Sequence, residues 1–386
     1  MTVSLWQDTA SWPGELDHRH ETADIAIVGG GIVGATLATL LTQAGKQVIV
    51  LEAGQVGGGA SGRNAGHCIA GLRNTYHRAV ERLGHDGARE LRTMLRSNRD
   101  MVAGFCDQLK VPYEQNGSQY LGIDEAECEE IRASARALQA DGDDVEFTER
   151  DPYDRGFKGR LYQPGDMGLQ PYILVTRLMA SSGAEVIENS EVRAIEQMGD
   201  KVILRSKRVT VECGQAILAT NAYSRILHPY FHDKVFPTRA QMYATEPSTD
   251  ERLIPMPTGT EDGFEYFRQL SDGRFLIGGY RDRFADEEVG YGDETTAHLQ
   301  AGMQAWVAER FPEIAKLKVT HRWAGIMGFT KDALPLIGRL PDMPNVAFAV
   351  GFTGSGMSFG PLTARLCAEY VLDGTHPGLF HVERLR

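Results

Sequence analysis

The sequence predicts a mixed α/β fold with more than one structural unit, and three observations support this. Residues 24–52 read DIAIVGGGIVGATLATLLTQAGKQVIVLE, which has the pattern of a strand, a helix and a second strand. Residues 226–322 contain strand-rich stretches such as EYFRQLSDGRFLIGGYRD. The chain has 386 residues, which is too many for one ordinary core.

Composition excludes several classes of protein. The formal net charge is −12 and no run of Lys or Arg exceeds two residues, which argues against nucleic acid and anionic membranes as partners. The N-terminus has no apolar segment behind a basic start, and no window reaches the ~18 apolar residues of a membrane span. We therefore expect a soluble, cytoplasmic protein without a membrane span.

The five cysteines are scattered and form no C-x-x-C pair, which argues against a disulfide framework and a zinc site. We expect no metal, and we interpret four of them as buried small hydrophobic residues. The exception is Cys68, whose position in a polar loop leaves its role open.

The first unit has the glycine spacing of a dinucleotide-binding turn. Gly29, Gly31 and Gly34 follow a strand over 24–28 and open a helix over 32–44 that Gly45 ends. Gly29 would allow the tight turn, Gly31 the approach of a pyrophosphate to the backbone, and Gly34 the close packing of helix on sheet. The alternative is a glycine-rich turn without a ligand.

Two features indicate which dinucleotide would bind. Glu52 ends the second strand over 47–52, where its carboxylate would accept both ribose hydroxyls of an adenosine. The chain then enters the polar loop GGGASGRNAGHC at residues 57–68, whose backbone N–H groups would meet a second phosphate and a flavin ring. This favours FAD; the alternative for the loop is a disordered Gly/Ser linker.

Four motifs carry a resemblance to a known family: SLWQDTASWPGEL at the N-terminus, DIAIVGGGIVG, GGGASGRNAGH, and the C-terminal run RWAGIMGFTKDALPLIGRLPDMPNVAFAVGFTGSGMSFGP. Together they resemble the γ-glutamylputrescine oxidase branch of the D-amino-acid-oxidase-like flavoprotein superfamily. The resemblance covers nearly the whole chain, and the enzymes of this superfamily oxidise a C–N bond with FAD.

The resemblance implies a Rossmann-like FAD-binding domain interleaved with an antiparallel-sheet substrate domain. The FAD-binding domain would comprise residues 1–85, 161–225 and 323–386. The substrate domain would comprise 86–160, which we interpret as polar helices, and 226–322.

The predicted cofactor-binding residues come from the glycine turn, the polar loop and positions implied by the family pattern. They are Gly29, Gly31, Ile32, Val33, Gly34, Glu52, Ala53, Ala60, Ser61, Arg63, Asn64, Ala65, Gly66, His67, Val192, Ala219, Thr220, Trp323, Gly325, Gly351, Thr353, Gly354, Ser355, Gly356 and Met357. The same family pattern places Asn64 where related enzymes carry a linking histidine, so the FAD should be non-covalent. His67 and Cys68 remain as candidates for a link only outside that register.

The C-terminal segment bears on the chemistry. It is predicted to form a strand over 347–350, a glycine-rich turn over 351–356 and a helix over 362–372. A helix N-terminus aimed at the flavin would stabilise negative charge that develops there.

Four residues are predicted to act on the substrate: Tyr266, Arg281, His67 and Met327. Met327 stands where glycine oxidases of the superfamily carry an arginine that clamps the substrate carboxylate, so a simple α-amino acid is disfavoured. Arg268, Arg281 or Arg63 would replace that anchor from another direction. The structural alternative for each arginine is a salt bridge without a substrate role.

An ungapped match through EYFRQLSDGRFLIGGYRD places Ile277 where sarcosine oxidases of the superfamily carry an oxygen-activating lysine beside the flavin. On this basis we expect slow reaction with oxygen. The expected function is oxidation of an amine or N-substituted amino acid to an imine that hydrolyses, with oxygen or another electron acceptor. The alternatives are an α-amino acid oxidase or dehydrogenase, a tRNA-modifying flavoprotein, and a non-catalytic flavoprotein.

Overall fold

The structure is a computed structural model that describes residues 3–9, 22–71 and 75–385. Residues 10–16 of the N-terminal motif lie outside the described residues. The helices are α1 (Leu5–Asp8), α2 (Ile32–Gln43), α3 (Tyr76–Leu109), α4 (Glu125–Ala140), α5 (Pro171–Ser181), α6 (Ser224–Leu227), α7 (Ala297–Arg310) and α8 (Gly356–Leu372). The strands are β1 (Thr22–Val28), β2 (Val48–Leu51), β3 (His67–Cys68), β4 (Tyr113–Glu114), β5 (Ser118–Gly122), β6 (Glu146–Thr148), β7 (Gly159–Gln163), β8 (Met167–Leu169), β9 (Glu185–Ile187), β10 (Val192–Met198), β11 (Lys201–Ser206), β12 (Thr210–Leu218), β13 (Phe236–Thr245), β14 (Thr258–Thr260), β15 (Glu265–Gln269), β16 (Phe275–Gly278), β17 (Val319–Phe329), β18 (Leu336–Arg339) and β19 (Val346–Val350).

The first sheet is the predicted Rossmann-like sheet. Its path is β10-β11-β12-β1-β2-β9, and β19 with its neighbour β18 branches from β12. β1 runs parallel to both β2 and β12, and β19 runs parallel to the end of β12. The carboxyl ends of β1 and β12 therefore meet at one edge of the sheet, where ligands bind in folds of this kind.

The second sheet has the order β17-β13-β16-β15-β14-β5-β7-β6. Its pairs are antiparallel except for β14 with β5. A small third sheet, β3-β8-β4, joins the end of the polar loop to the rest of the chain. The mixed α/β fold is thus as predicted.

The domain division stays a prediction, but the strands refine where its boundaries would fall. β17 crosses residue 323 and pairs with β13 throughout, so this strand belongs to the second sheet. A third FAD-binding segment would begin after Phe329 instead of at residue 323. The segment 86–160 also differs from the expectation of helices alone, because β5 and β6 lie in it and pair with β7 in the second sheet.

The C-terminal helix begins six residues earlier than the predicted start at residue 362, since α8 spans Gly356–Leu372 and contains Pro361. Proline has no N–H to donate to the carbonyl four residues before it. The fully buried Asn98 on α3 compensates: its Nδ2 donates to Met357 O at 2.9 Å and its Oδ1 accepts from Leu362 N at 3.1 Å. The side-chain amide lets the helix continue through the proline.

The described part of the chain offers no helix with the length and apolar character needed to cross a membrane.

Candidate cofactor and active site

The glycine turn joins β1 directly to α2. Gly29 has φ +111°, and a Cβ on it would lie 2.7 Å from Ala219 O. A Cβ on Gly34 would lie 1.9 Å from Gly29 O, so only glycine permits α2 to start this close to the strand. The backbone geometry is the one that the glycine spacing predicts.

The N-terminus of α2 faces the polar loop. A Cβ on Gly31 would lie 2.8 Å from Ser61 Oγ, and Ile32 N donates to the same hydroxyl at 3.0 Å. Val33 follows in the first helical turn. The partial positive charge of a helix start favours a phosphate, and the serine hydroxyl is a further donor for one.

Glu52 lies at the end of β2, beside this turn. Its Oε2 accepts from Gly30 N at 2.7 Å and its Oε1 accepts from Gly54 N at 2.8 Å, which fixes the carboxylate in place. Burial raises the pKa of Glu52, and the nearby Glu188 adds to the shift. Ala53, the next residue, is exposed.

Sequence reasoning missed Glu188. Its Oε1 accepts from Val56 N at 2.6 Å, so it holds the chain that leads from Glu52 into the glycine-rich loop. An acidic residue directly after the buried strand β9 is the signal that would have pointed to it.

The polar loop is an ordered turn shaped by its own side chains, with a short 3-10 helix at Ala60–Gly62, and the linker alternative does not describe it. Asn64 Nδ2 donates to Ala60 O and Ser61 O, and Asn64 Oδ1 accepts from Gly66 N at 2.8 Å. A Cβ on Gly62 would lie 2.3 Å from Gly57 O. Gly62 is thus required by close backbone packing.

Arg63 ties this loop to the second sheet. Its Nε donates to Gly58 O and its Nη1 donates to Ala324 O, both at 2.9 Å, while Trp323 Nε1 donates to Arg63 O at 2.8 Å. A Cβ on Gly325 would lie 3.3 Å from Arg63 Cβ, so strand and loop lie in contact. Arg63 therefore acts as a structural clamp, and we do not propose it as a substrate anchor.

Three of the residues implied by the family pattern lie at the same edge of the first sheet. Ala219 N donates to Val28 O at 2.8 Å, and Thr220 follows at the end of β12. Val192 begins β10, shortly after Ser190, whose N–H donates to Glu52 O at 2.8 Å. Their contacts with an adenine or a pyrophosphate stay predictions.

The C-terminal glycine turn, residues 351–356, leads into α8 near the N-terminus of α2. Gly351, Thr353 and Gly354 have φ of 81°, 49° and 82°, and Thr353 N donates to Gly328 O at 2.8 Å. Ser355 is the N-cap of α8, and Gly356 and Met357 open the helix. A Cβ on Gly360 would lie 2.9 Å from Ile32 Cγ2, so the second turn of α8 is in contact with the first residue of α2. Two helix N-termini, each a favourable place for negative charge, thus converge.

The predicted substrate residues surround the adjacent face of the second sheet. The rings of His67 and Tyr266 are 6.4 Å apart in an edge-on arrangement. Met327 Sδ lies 3.4 Å from where a Cβ on Gly354 would stand. The Arg281 guanidinium lies 4.9 Å from the rings of both Phe264 and Phe329.

Burial changes the acid–base properties of this group. It raises the pKa of Tyr266 to about 12, with the charge of Arg281 opposing the shift. It lowers the pKa of His67 well below its usual range, and the positive charge of Arg268 adds to this. His67 is therefore neutral near pH 7, and its Nε2 is buried with no hydrogen-bond partner among the described residues.

The prediction that Ile277 lies beside the flavin is wrong. Its side chain packs with Tyr243 and Phe267 in the core beneath α7, on the opposite face of the sheet from Tyr266. Leu276 occupies the site-facing side instead, because successive side chains of a strand point to opposite faces.

All five cysteines are free and buried, including Cys68, whose role the sequence left open. Burial raises the pKa of Cys68 well above its usual range, so its thiol stays protonated. In the described residues no group of three His, Cys, Asp or Glu side chains is arranged to hold a metal ion.

Comparison with known proteins shows which family the chain belongs to. The family described as FAD dependent oxidoreductase (DAO) matches residues 24–370. A probable oxidoreductase, OrdL, of Rhizobium meliloti is 28% identical over 91% of this chain and 83% of its own length. The γ-glutamylputrescine oxidoreductase of Escherichia coli is 26% identical over 95% of this chain and 88% of its own length. The crystal structure of glycine oxidase from Geobacillus kaustophilus superposes with a TM-score of 0.77 at 21% identity, covering 91% of this chain and 95% of that one.

Proposed function

The chain belongs to the family of FAD-dependent oxidoreductases, and from this premise we propose that it oxidises a C–N bond of an amine or an N-substituted amino acid. The product would be an imine, which water hydrolyses to a carbonyl compound and an amine or ammonia. The observation that carries the proposal is the convergence of two helix N-termini and the polar loop on the sheet face that presents Tyr266 and Met327.

The described residues fit FAD. Glycines are obligatory where α2 meets β1 and the polar loop, and Glu52 is fixed beside that turn. Glu52 would accept the ribose hydroxyls, Ser61 and the start of α2 would hold phosphate, and the start of α8 would face the flavin. When bound, FAD supplies the acceptor for the hydride that leaves the substrate carbon.

The surrounding residues would orient the substrate and keep water away. Tyr266 stays protonated, since its pKa is about 12, and can donate a hydrogen bond. Met327 provides an apolar contact where a carboxylate clamp would otherwise stand. This favours a substrate held by its remote end, a reading that the name of γ-glutamylputrescine oxidoreductase, a relative, also supports.

We propose that FAD is bound without a covalent link. Asn64 directs its side-chain amide into its own loop, and Cys68 is buried as a protonated thiol. Acid precipitation should release intact FAD into the supernatant. Flavin that stays with the precipitate would contradict this.

The electron acceptor is oxygen or another oxidant. The expectation of slow reaction with oxygen depended on Ile277 lying beside the flavin, and that position is wrong. The cellular compartment likewise stays a prediction from the sequence.

Anaerobic reduction of the bound flavin by a panel of amines tests the proposed function. γ-Glutamylputrescine, sarcosine, glycine and D-proline should bleach the flavin absorbance at different rates, with a remotely anchored substrate ahead of glycine. Glycine as the fastest reductant would favour an α-amino acid oxidase. If no amine reduces the flavin, the proposal fails.

A further inference from the structure

A buried arginine that the sequence offers as one of three alternative anchors stands next to the candidate site. Arg268 lies on β15, two residues after Tyr266, so both side chains leave the same face of the sheet. Arg268 is only 3% exposed. Its Nη2 donates to Leu169 O at 2.7 Å, but its Nε is buried and has no hydrogen-bond partner in the described part of the chain.

The guanidinium is held rigidly by its surroundings. A Cβ on Gly168 would lie 1.7 Å from Nη1, and a Cβ on Gly66 would lie 2.8 Å from Nη2, so two glycines make room for it. The indole ring of Trp6 lies 5.8 Å from Cζ on another side. Such a fixed, planar group of donors suits recognition of a carboxylate.

Arg268 has no carboxylate of its own within ion-pair distance among the described residues. The negative charge of Glu114 acts on Arg268, but both oxygens of Glu114 accept from Arg252 Nη1, at 2.8 and 3.0 Å. Burial lowers the pKa of Arg268 to about 10, so the group is still a cation near pH 7. A buried cation without a partner costs stability, which a bound anion would offset.

His67 adds a second polar group at this place. It pairs with Gly168 across β3 and β8, directly beside the glycine that accommodates Arg268. Its Nε2 is buried without a hydrogen-bond partner among the residues that the structure describes, and the imidazole is neutral near pH 7. A neutral imidazole can place its one N–H on this nitrogen and donate it.

We propose that Arg268 and His67 form a subsite for a carboxylate of the substrate, with Arg268 as the anchor and His67 as a second donor. This inference rests on the proposed function and names its substrate class: an amine that carries a carboxylate. In this arrangement the substrate carboxylate binds at the Arg268 subsite, and apolar parts of the substrate contact Met327.

Calorimetric titration of the holoenzyme with butyrate and with butyramide tests the subsite without any turnover. Butyrate should bind, and Arg268→Met should weaken it by about 10-fold to 100-fold, the range for charge-assisted hydrogen bonds. Arg268→Lys should restore part of the affinity because it keeps the charge. Arg274→Met is the matched control, since Arg274 lies in the turn between β15 and β16 and pairs with Asp272.

Several results would overturn the subsite. Either the wild type fails to bind butyrate, or it binds butyrate and butyramide with equal affinity, or Arg268→Met binds butyrate as tightly as the wild type does; each of these outcomes contradicts the subsite. FAD content and the far-ultraviolet spectrum of each variant show whether it has folded. Since a buried cation without an ion pair carries an uncompensated desolvation cost, which an apolar methionine removes, we expect Arg268→Met to fold.

Failure of the subsite and failure of the proposed function give different results. In the wild type, an N-alkyl amino acid should reduce the flavin anaerobically at least about 10-fold faster than its amide does. In Arg268→Met, the two compounds should reduce the flavin at equal rates. Equal rates in the wild type would remove the subsite and keep the oxidase function. Arg268-dependent binding of butyrate without reduction by any amine would remove the function and keep the subsite.

Discussion

The glycine turn and the site-facing side of the second sheet differ in what determines their geometry. In the turn, the geometry requires three glycines within six residues. A Cβ on Gly34 would meet Gly29 O, while a Cβ on Gly29 would meet Ala219 O and a Cβ on Gly31 would meet Ser61 Oγ. On the sheet, Tyr266, Leu276 and Met242 come together only because three strands pair in one register. A site formed by backbone can therefore be predicted from the spacing of its glycines. A site formed by side chains depends on strand pairings between distant segments, which the spacing does not show.

The largest expected effect tests the sheet. Ile277→Ala should lower the free energy of unfolding by about 2–5 kcal/mol, because it leaves a cavity in the core with Tyr243 and Phe267. The rate of flavin reoxidation should not change. Urea unfolding at fixed FAD concentration and stopped-flow reoxidation measure the two effects.

Leu276→Ala is the matched control, since its side chain lies on the opposite face of the same strand. It should cost a similar amount of stability and should alter the flavin spectrum. If Ile277→Ala changed reoxidation while Leu276→Ala did not, the assignment of faces would be reversed.

A smaller effect tests the glycine turn. Gly34→Ala should destabilise the protein by about 1–3 kcal/mol and weaken FAD binding, because the added methyl would lie 1.9 Å from Gly29 O and would push α2 away. Gly59→Ala serves for comparison, since no atom lies within 4 Å of a Cβ there. FAD titration of the two apoproteins should show weaker binding by Gly34→Ala than by Gly59→Ala. Equal affinities would show that the turn tolerates a side chain at residue 34.

The smallest expected effect is a pH dependence in the second sheet. Burial raises the pKa of Glu265 to about 8, and Arg283 does not compensate because it is shared with Glu261 and Asp282. The folded state therefore binds more protons than the unfolded state between about pH 4.5 and pH 8, so stability falls as the pH rises through this window.

Glu265→Gln should remove this slope, which is at most about 1.4 kcal/mol per pH unit. Urea midpoints at pH 6 and pH 7 measure it, with the exposed Glu251→Gln as a control. A wild-type slope that persists in Glu265→Gln would assign the dependence to another group.

The sequence predicted the first strand, helix and strand closely, since their signals are local. It placed the start of α8 too late, because Pro361 normally marks a helix boundary and the amide that compensates comes from Asn98, far away in the sequence. The error at Ile277 has a related cause. An ungapped match cannot sense a shift of one residue, and such a shift moves a side chain to the other face of a strand.

The role that we propose for Arg268 was likewise not predictable from sequence patterns alone. The sequence offered it only as one of three alternative anchors. Its position is defined by Leu169 O and by the glycines of β8 and the polar loop, which lie about 100 residues or more before it. Only the folded chain shows that Glu114, the carboxylate whose charge acts on Arg268, is already paired with Arg252.

The clamp between Arg63 and Ala324 has a consequence for synthesis of the protein. The two residues are 261 positions apart, so a nascent chain that has completed its glycine-rich loop cannot yet fix that loop on β17. At the usual pace of translation the interval is about 13–52 s. We therefore expect the nascent chain to bind FAD only after the ribosome has synthesised β17.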